Sequence, residues 1–486
     1  MHNNKSNMSK FYVTTPIYYP NDIPHIGHAY TTLAADILAR WHKLQGEEVF
    51  FLTGTDEHGK KIEEAAQRKG LTPKQLADNL VPEFQAAWKT LNINYDRFIR
   101  TTDADHYQVV QNLLQKVYDR GDIYPGKYEG FYCTACEAYY PEKDLAEGNL
   151  CPTHKKPVHW MEEETYFFKL SKYQGQILEI CQGDAIKPDY RKEEIVNRAK
   201  EGLKDISISR KNLKWGIPLP FDNSHVCYVW FDALANYLTG VGYLNDQPQF
   251  EKFWPADAHI MAKDILWFHT AIWFGILLSA DLPLPRKVVA HGYWTLNGEK
   301  ISKTTGNIIT PAEMVAIAGT DSARYALFSS MAFGQDGDLN KESILEKHNA
   351  ELANNLGNLV SRVTALIEKS GMERCENTLA EDFNIGTIEK YYQNFEFHKI
   401  LEETFALLGR CNKHIDEAQV WKTKDKKELY QLADCLKIAS IILYPFIPEA
   451  AQKISQILNF ELSFAQISQP LPLSEIKKCP PLFQKI

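Results

Sequence analysis

No apolar run in this 486-residue chain is long enough to cross a bilayer. The most apolar stretch, around Ala271 to Ala280, has about half the length required. Nor is there an excess of positive charge. The 62 acidic residues outnumber the 54 Lys and Arg, giving a net charge of −8, which argues against a protein that coats nucleic acid by charge alone. Cysteine is sparse: nine residues, an odd number at irregular spacing, fit reduced thiols rather than a disulfide frame. Residues 1–10 are polar and lack the apolar centre of a secretory leader, and no repeat or low-complexity segment stands out. The expectation is a cytoplasmic globular enzyme. With 44% hydrophobic and 24% charged residues, the chain can build two to four domains with ample core.

What the chain does contain is a pair of histidines at a turn. Pro24-His25-Ile26-Gly27-His28-Ala29-Tyr30 follows a strand-like run, Phe11 to Tyr19. It opens a run with apolar residues at Leu33, Ile37, Trp41 and Leu44, one face of a helix that Gly46 can cap. A helix N-terminus favours anions, and Gly27 lets a ligand approach the backbone. A lone His-x-x-His is more often two ordinary loop histidines. Far downstream, however, stands Lys300-Ile301-Ser302-Lys303-Thr304, flanked by Gly298 and Gly306. Histidines at one end and a lysine pair at the other suit a triphosphate held from both ends.

Two further patterns are readable from spacing. Cys133-x-x-Cys136 and Cys151-x-x-His154, fourteen residues apart, have the spacing of a four-ligand zinc knuckle. Four protein ligands leave no open position, so one structural zinc is expected; His159 competes with His154 as fourth ligand but breaks the pair spacing. The second pattern is a short apolar run, Glu48 to Leu52, ending at Thr53-Gly54-Thr55-Asp56-Glu57-His58-Gly59. A polar loop at the carboxyl end of a buried strand is where doubly wound sheets bind ligands. Asp56 there can pair with an ammonium group or serve as a helix cap.

The histidine and lysine stretches resemble the HIGH and KMSKS motifs of class I aminoacyl-tRNA synthetases, most closely those of the methionyl branch. The resemblance runs from about Phe11 to about Phe446 and includes Gly202 to Arg210 and Trp215 to Pro218. It implies an α/β fold: a Rossmann-type doubly wound parallel sheet with a zinc-knuckle insertion, followed by a C-terminal α-helical bundle. The expected division is 1–116 and 227–293 for the two catalytic halves, 117–226 for the insertion, 294–347 for the lysine-loop linker and 348–486 for the bundle. Activation of methionine by Mg2+-ATP and its transfer to tRNA(Met) are the implied chemistry.

By the same resemblance His25, Gly27, His28, Asp264, His291, Gly292, Lys300, Ile301, Ser302, Lys303 and Thr304 bind ATP. His25, His28, Lys300 and Lys303 carry the catalytic charge. Asp56 holds the α-amino group of methionine, and Ile17, Tyr19, Trp230, Ala233, Leu234, Tyr237, Ile265 and His269 line the side-chain pocket. An aromatic-lined pocket suits a polarisable thioether. Trp230, Ala233, Leu234 and Tyr237 also fit one helical face, as plain core residues do. Ile301 and Thr304 stand where the family commonly has Met and Ser, and Ala262 where it often has Gly. Residues 187–215 hold nine Lys or Arg against five Asp or Glu, a candidate phosphate-contacting segment or a solvated face.

From Asn349 the pattern turns helical, with Leu352, Leu356, Leu359, Val363 and Leu366 in register, runs at Phe395 to Leu408 and Leu429 to Leu443, and Pro448 opening another. The family's anticodon contacts map onto Asn358, Arg362 and Trp421. A Pro-rich tail leaves no oligonucleotide-binding extension to accommodate, so a monomer is expected. Large editing domains, as in leucyl, isoleucyl and valyl enzymes, do not fit in the 272 positions between His28 and Lys300. A cysteinyl enzyme needs a metal at the amino-acid site, whereas the cysteines here cluster in the insertion. A small-molecule nucleotidyltransferase shares the histidine turn but needs neither insertion nor bundle. A catalytically silent RNA-binding relative would not need both phosphate motifs intact.

Overall fold

The computed structural model describes residues 9–134, 138–140, 142–153, 155–301 and 308–486. Of the expected site residues, Cys136, His154, Ser302, Lys303 and Thr304 lie outside these. The centre is a six-stranded parallel sheet in the order β3 (Arg97–Arg100), β2 (Glu48–Thr55), β1 (Lys10–Tyr18), Ala258–Ala262, Val288–His291, Ile186–Lys187. β1 is buried through Phe11–Thr15, and β2 from Phe50 to Thr55, so both read as near-continuous apolar and β-branched runs. Pro16 has no N–H for the ladder, and the β1–β2 register shifts between Thr14 and Ile17. From β1 the chain builds β2 and β3 on one side, then returns to the other side with Ala258–Ala262. The carboxyl ends of β1 and that strand therefore flank the switch point where such sheets bind ligands.

Helix α1 (Ile26–Leu44) packs on this sheet, buries Leu33, Ile37, Trp41 and Leu44, and is followed by Gly46 at φ 81°. Its far face meets the C-terminal helices. Trp41 stacks on Tyr392 at 3.9 Å, and the buried Asp36 carboxylate pairs with Arg324 and Arg40, both at 2.7 Å. Between the two halves of the sheet, Ile123–Cys133 and His159–Phe168 pair antiparallel over ten residue pairs, flanked by Ala138–Tyr140 and Ile206–Ser207. The C-terminal region is helical: His348–Gly357 runs into Asn358–Ser370, followed by Phe397–Glu417, Lys426–Leu443 and Pro448–Leu458. Every residue from Leu429 to Leu443 is buried, which makes Lys426–Leu443 the central helix. Among the described residues no helix is long and apolar enough to cross a membrane.

From sequence, Val226 to Trp230 reads as a strand and residues 60–120 read as helices; both change. The strand lies earlier, at Asp222–Cys227, and Val229 already opens the helix Val229–Leu234. The acid in its first turn, Asp232, favours that helix start. The stretch 60–120 is helical except for β3, whose two arginines in four residues hide a strand at the edge of the sheet.

Candidate active site

At the switch point lies a cleft of about 1470 Å³. It is lined by Ile17 and Tyr19 from the end of β1, by His25, Gly27 and His28 from the start of α1, and by Asp56 beyond β2. Trp230, Ala233, Leu234 and Tyr237 come from the two short helices Val229–Leu234 and Asn236–Gly240. Asp264, Ile265, His269, His291, Gly292 and Ile301 complete the wall. Lys300 ends the short strand Glu299–Lys300 beside Ile301. Residues separated by nearly 300 positions thus share one cavity.

The histidine turn is a helix cap. His25 is the N-cap, and its Nδ1 accepts from the Gly27 amide at 3.1 Å, while His28 Nδ1 accepts from the His25 amide at 3.2 Å. With both Nδ1 atoms accepting, each ring carries its proton on Nε2. The rings stack with centroids 4.0 Å apart, so the two Nε2–H donors lie side by side at the positive end of α1. Gly27 is required here: a Cβ would lie 2.9 Å from His25 Cε1.

On the opposite strand end, the His291 Nδ1–H donates to the Gly292 carbonyl at 2.7 Å, and its Nε2 accepts from the Thr31 hydroxyl at 2.6 Å. Burial drives the His291 imidazole down to about 4, so it is neutral near pH 7. Gly292 cannot carry a side chain, because a Cβ would sit 2.0 Å from the Gln335 carbonyl oxygen. Exposed Asp264 lies next to Lys263, whose ammonium is held by Asp336 at 2.6 Å. Tyr293 is pushed upward by burial, then by the negative charge of Asp264 and the hydrogen bond to it.

The side-chain pocket is aromatic and neutral. Tyr237 donates its hydroxyl to His269 Nε2 at 2.7 Å, and His269 Nδ1–H donates to the Ile265 carbonyl at 2.9 Å. Burial lowers His269 to about 4 and raises Tyr237, so both stay uncharged. Trp230 stacks on Phe268 at 3.8 Å and faces the His269 edge at 6.4 Å. Asp56 is buried after β2, its amide bound to the Tyr18 carbonyl. It does not cap a helix; Gly59 holds the N-cap position of Lys60–Arg68.

Phe268 and Arg210 are among the lining residues not singled out from sequence. Phe268, next to His269, was hidden because its partner Trp230 is 38 positions away. Arg210 was read only as part of a basic stretch, yet it is buried in the cleft wall, its guanidinium 4.5 Å from the Tyr228 ring centroid and 2.8 Å from Ser207 Oγ. Elsewhere in that stretch, Lys187 and Lys211 are bound in ion pairs to Asp184 and Glu164.

None of the described residues of the other two groups lines the cleft. Cys133, at the end of Ile123–Cys133, and Cys151 are fully buried in one small cluster with Val158. Among the described residues no three metal-ligating side chains come together. In the helical region Asn358 is exposed, Arg362 follows one turn later, and the Arg362 guanidinium lies 6.0 Å from the Trp421 ring centroid. Trp421 is 41% exposed, while its neighbour Val420 is buried.

The family model for tRNA synthetases class I (M) matches residues 11–159 and 151–364. The Methionine--tRNA ligase of Clostridium tetani is 45% identical over 94% of this chain and 75% of its own length. That of a Nostoc species is 41% identical over 96% of this chain and 92% of its own. A solved structure of Mycobacterium tuberculosis methionyl-tRNA synthetase in complex with methionyl-adenylate superposes with a TM-score of 0.93 at 37% identity, covering 97% of this chain and 99% of that one. The chain belongs to the class I tRNA synthetases, in the branch of the methionine--tRNA ligases.

Proposed function

We propose that the cleft joins L-methionine to ATP as methionyl-adenylate and then transfers the methionyl group to the terminal ribose of tRNA(Met). The observation that carries the residue roles is convergence. Every residue assigned to methionine, and every residue assigned to ATP whose side chain the structure describes, lines one cavity at the switch point. The relatives named above carry the substrate identity.

No enzyme nucleophile is needed. A carboxylate oxygen of methionine attacks the α-phosphorus of Mg2+-ATP, and the bond to the bridging oxygen breaks to release pyrophosphate. A ribose hydroxyl of the tRNA then attacks the acyl carbon, and AMP leaves. Catalysis is positioning plus positive charge on the phosphates. The paired Nε2–H groups of His25 and His28 donate to the reacting phosphate, and Lys300 and Lys303 neutralise the departing pyrophosphate. Asp264 accepts from the ribose hydroxyls, while His291 and Gly292 shape the nucleotide floor. Asp56 binds the ammonium group; Ile17, Tyr19, Trp230, Ala233, Leu234, Tyr237, Ile265 and His269 enclose the thioether.

The insertion fits one structural zinc held by Cys133, Cys136, Cys151 and His154. Two thiols of the set are buried in one small cluster. The Lys155 amide returns to the Cys151 carbonyl at 2.9 Å with Lys155 at φ 52°, a tight turn of the kind a C-x-x-H pair needs. His159 is exposed, which favours His154. A zinc there stabilises the insertion and takes no part in the chemistry. The bundle from 348 onward reads the anticodon through Asn358, Arg362 and Trp421.

The decisive experiment is exchange of labelled pyrophosphate into ATP. Methionine should support it without tRNA, and leucine and cysteine should not. Purified protein that exchanges with neither methionine nor any other amino acid ends this reading.

A further inference from the structure

A buried carboxylate that the mechanism above does not use joins the two walls of the amino-acid pocket. Asp232 Oδ2 accepts from His58 Nδ1–H and Oδ1 from His106 Nε2–H, both at 2.8 Å, and all three side chains are buried. Each imidazole is completed on its other side: His58 Nε2 by the Tyr107 hydroxyl at 3.2 Å, His106 Nδ1 by the Thr239 hydroxyl at 3.0 Å. Burial alone would raise Asp232; the two imidazoles outweigh it and hold the carboxyl at about 2.

The neighbours of these residues give the network its consequence. His58 is two positions beyond Asp56, and Glu57 between them is gripped by Arg100 at 2.6 and 2.9 Å, so the placement of His58 bears directly on that of Asp56. Asp232 is two positions beyond Trp230 and adjacent to Ala233. It sits in a six-residue helix with no side-chain cap, too short to hold its own orientation. His106 stands on the longer helix Ala104–Asp119. The segment of the ammonium anchor and the helix of the thioether wall therefore meet at Asp232 through His58, and the second carboxylate oxygen fixes that helix to His106.

We infer that Asp232 is a positioning residue for amino-acid selection. By tying His58 to the helix of Trp230 and Ala233, it sets the span between the ammonium anchor and the side-chain pocket. This rests on the assignment of Asp56 and Trp230 to methionine. Asp232 touches no substrate; it acts through the two walls it joins.

The test is equilibrium titration of methionine and of ATP, with exchange kinetics alongside. Asp232→Asn puts an amide NH2 against one of the two imidazole N–H donors and should raise the methionine Kd about 10²-fold, as a misplacement of order 1 Å does. The ATP Kd should stay within about threefold, and preference for methionine over its S-ethyl homologue should narrow. His58→Asn, whose amide can reproduce the Nδ1–H donor, should stay close to wild type; His58→Leu should copy the Asp232→Asn defect. Because the His58 pair compares two substitutions at one site, it decides the matter even if Asp232→Asn does not fold. Equal weakening of methionine and ATP, or unchanged methionine affinity in His58→Leu, overturns the inference. Wild-type protein that binds no methionine instead overturns the functional reading, and this inference with it.

Discussion

The Ile26 amide donates to the Ile309 carbonyl at 3.1 Å. Ile26 is the first residue of α1, inside the histidine turn, and its N–H has no partner within the helix. Ile309 lies just beyond the lysine loop, before the Thr310-capped helix Pro311–Ala318. The amide left over by helix geometry thus anchors one end of the lysine segment to the histidine segment. A main-chain hydrogen bond thus ties the histidine turn to the segment that follows the lysine motif, across more than half of the chain.

The proposed role of Lys303 on the departing pyrophosphate sets the expected effect of Lys303→Ala. Loss of one donor to a developing charge should lower the rate of adenylate formation by about 10²–10³. Methionine affinity should change little, since the proposal assigns Lys303 to the phosphates and not to the side-chain pocket. Single-turnover kinetics near wild type would remove Lys303 from the mechanism.

For the insertion, protein purified without chelators should hold one equivalent of zinc. Cys151→Ser should lose it and loosen the sheet built on Ile123–Cys133 and His159–Phe168, read by protease sensitivity there. Exchange should fall less than that local order does, because the metal is proposed as structural. Elemental analysis that finds no zinc in the wild-type protein disposes of the knuckle.

The two buried imidazoles set an acid limit. His269 and His291 sit at about 4, below the ordinary 6.5, so between these values the unfolded chain binds more protons than the folded one. Their contribution is fully present above about pH 6.5 and is lost as pH falls towards 4. Each is worth roughly 3 kcal/mol at most. Melting temperature should therefore drop between pH 6.5 and 4, and methionine binding should be flat from pH 6 to 8 because His269 stays neutral. A methionine affinity that falls with a midpoint near 6.5 contradicts this environment for His269.

The outline of the site was legible because its residues sit next to local signals. The His25–His28 turn is marked by the strand before it and the helical period after it, and the Asp56 loop by the apolar run of β2. What sequence could not show depends on contacts across the chain. Phe268 acquires its place by stacking on Trp230, and Asp232 its place by meeting His58 and His106, 174 and 126 positions away. Helix starts were readable where a cap or proline marks them, as at Thr72-Pro73 and Ile447-Pro448. The strand Arg97–Arg100 was not, since it lies at the sheet edge and carries charge at both ends.

The anticodon role proposed for Trp421 is testable apart from adenylate chemistry. A lone tryptophan in a helical domain is usually core, but here Val420 takes the buried position and the indole stays 41% exposed. The left-handed residues Gln419 (φ 48°) and Lys424 (φ 51°) bracket the short helix Val420–Thr423. The Arg362 guanidinium, paired with Asp416 at 2.7 Å, lies 6.0 Å from its ring. An exposed ring beside a cation is a platform for an unstacked base, worth about 1–3 kcal/mol per base. Trp421→Ala should therefore lower aminoacylation of tRNA about 5- to 150-fold at subsaturating tRNA. Methionine-dependent exchange without tRNA, and the melting temperature, should stay near wild type, because little buried surface is lost. If exchange and melting temperature fall together with aminoacylation, the residue supports the fold and the anticodon role fails at this position.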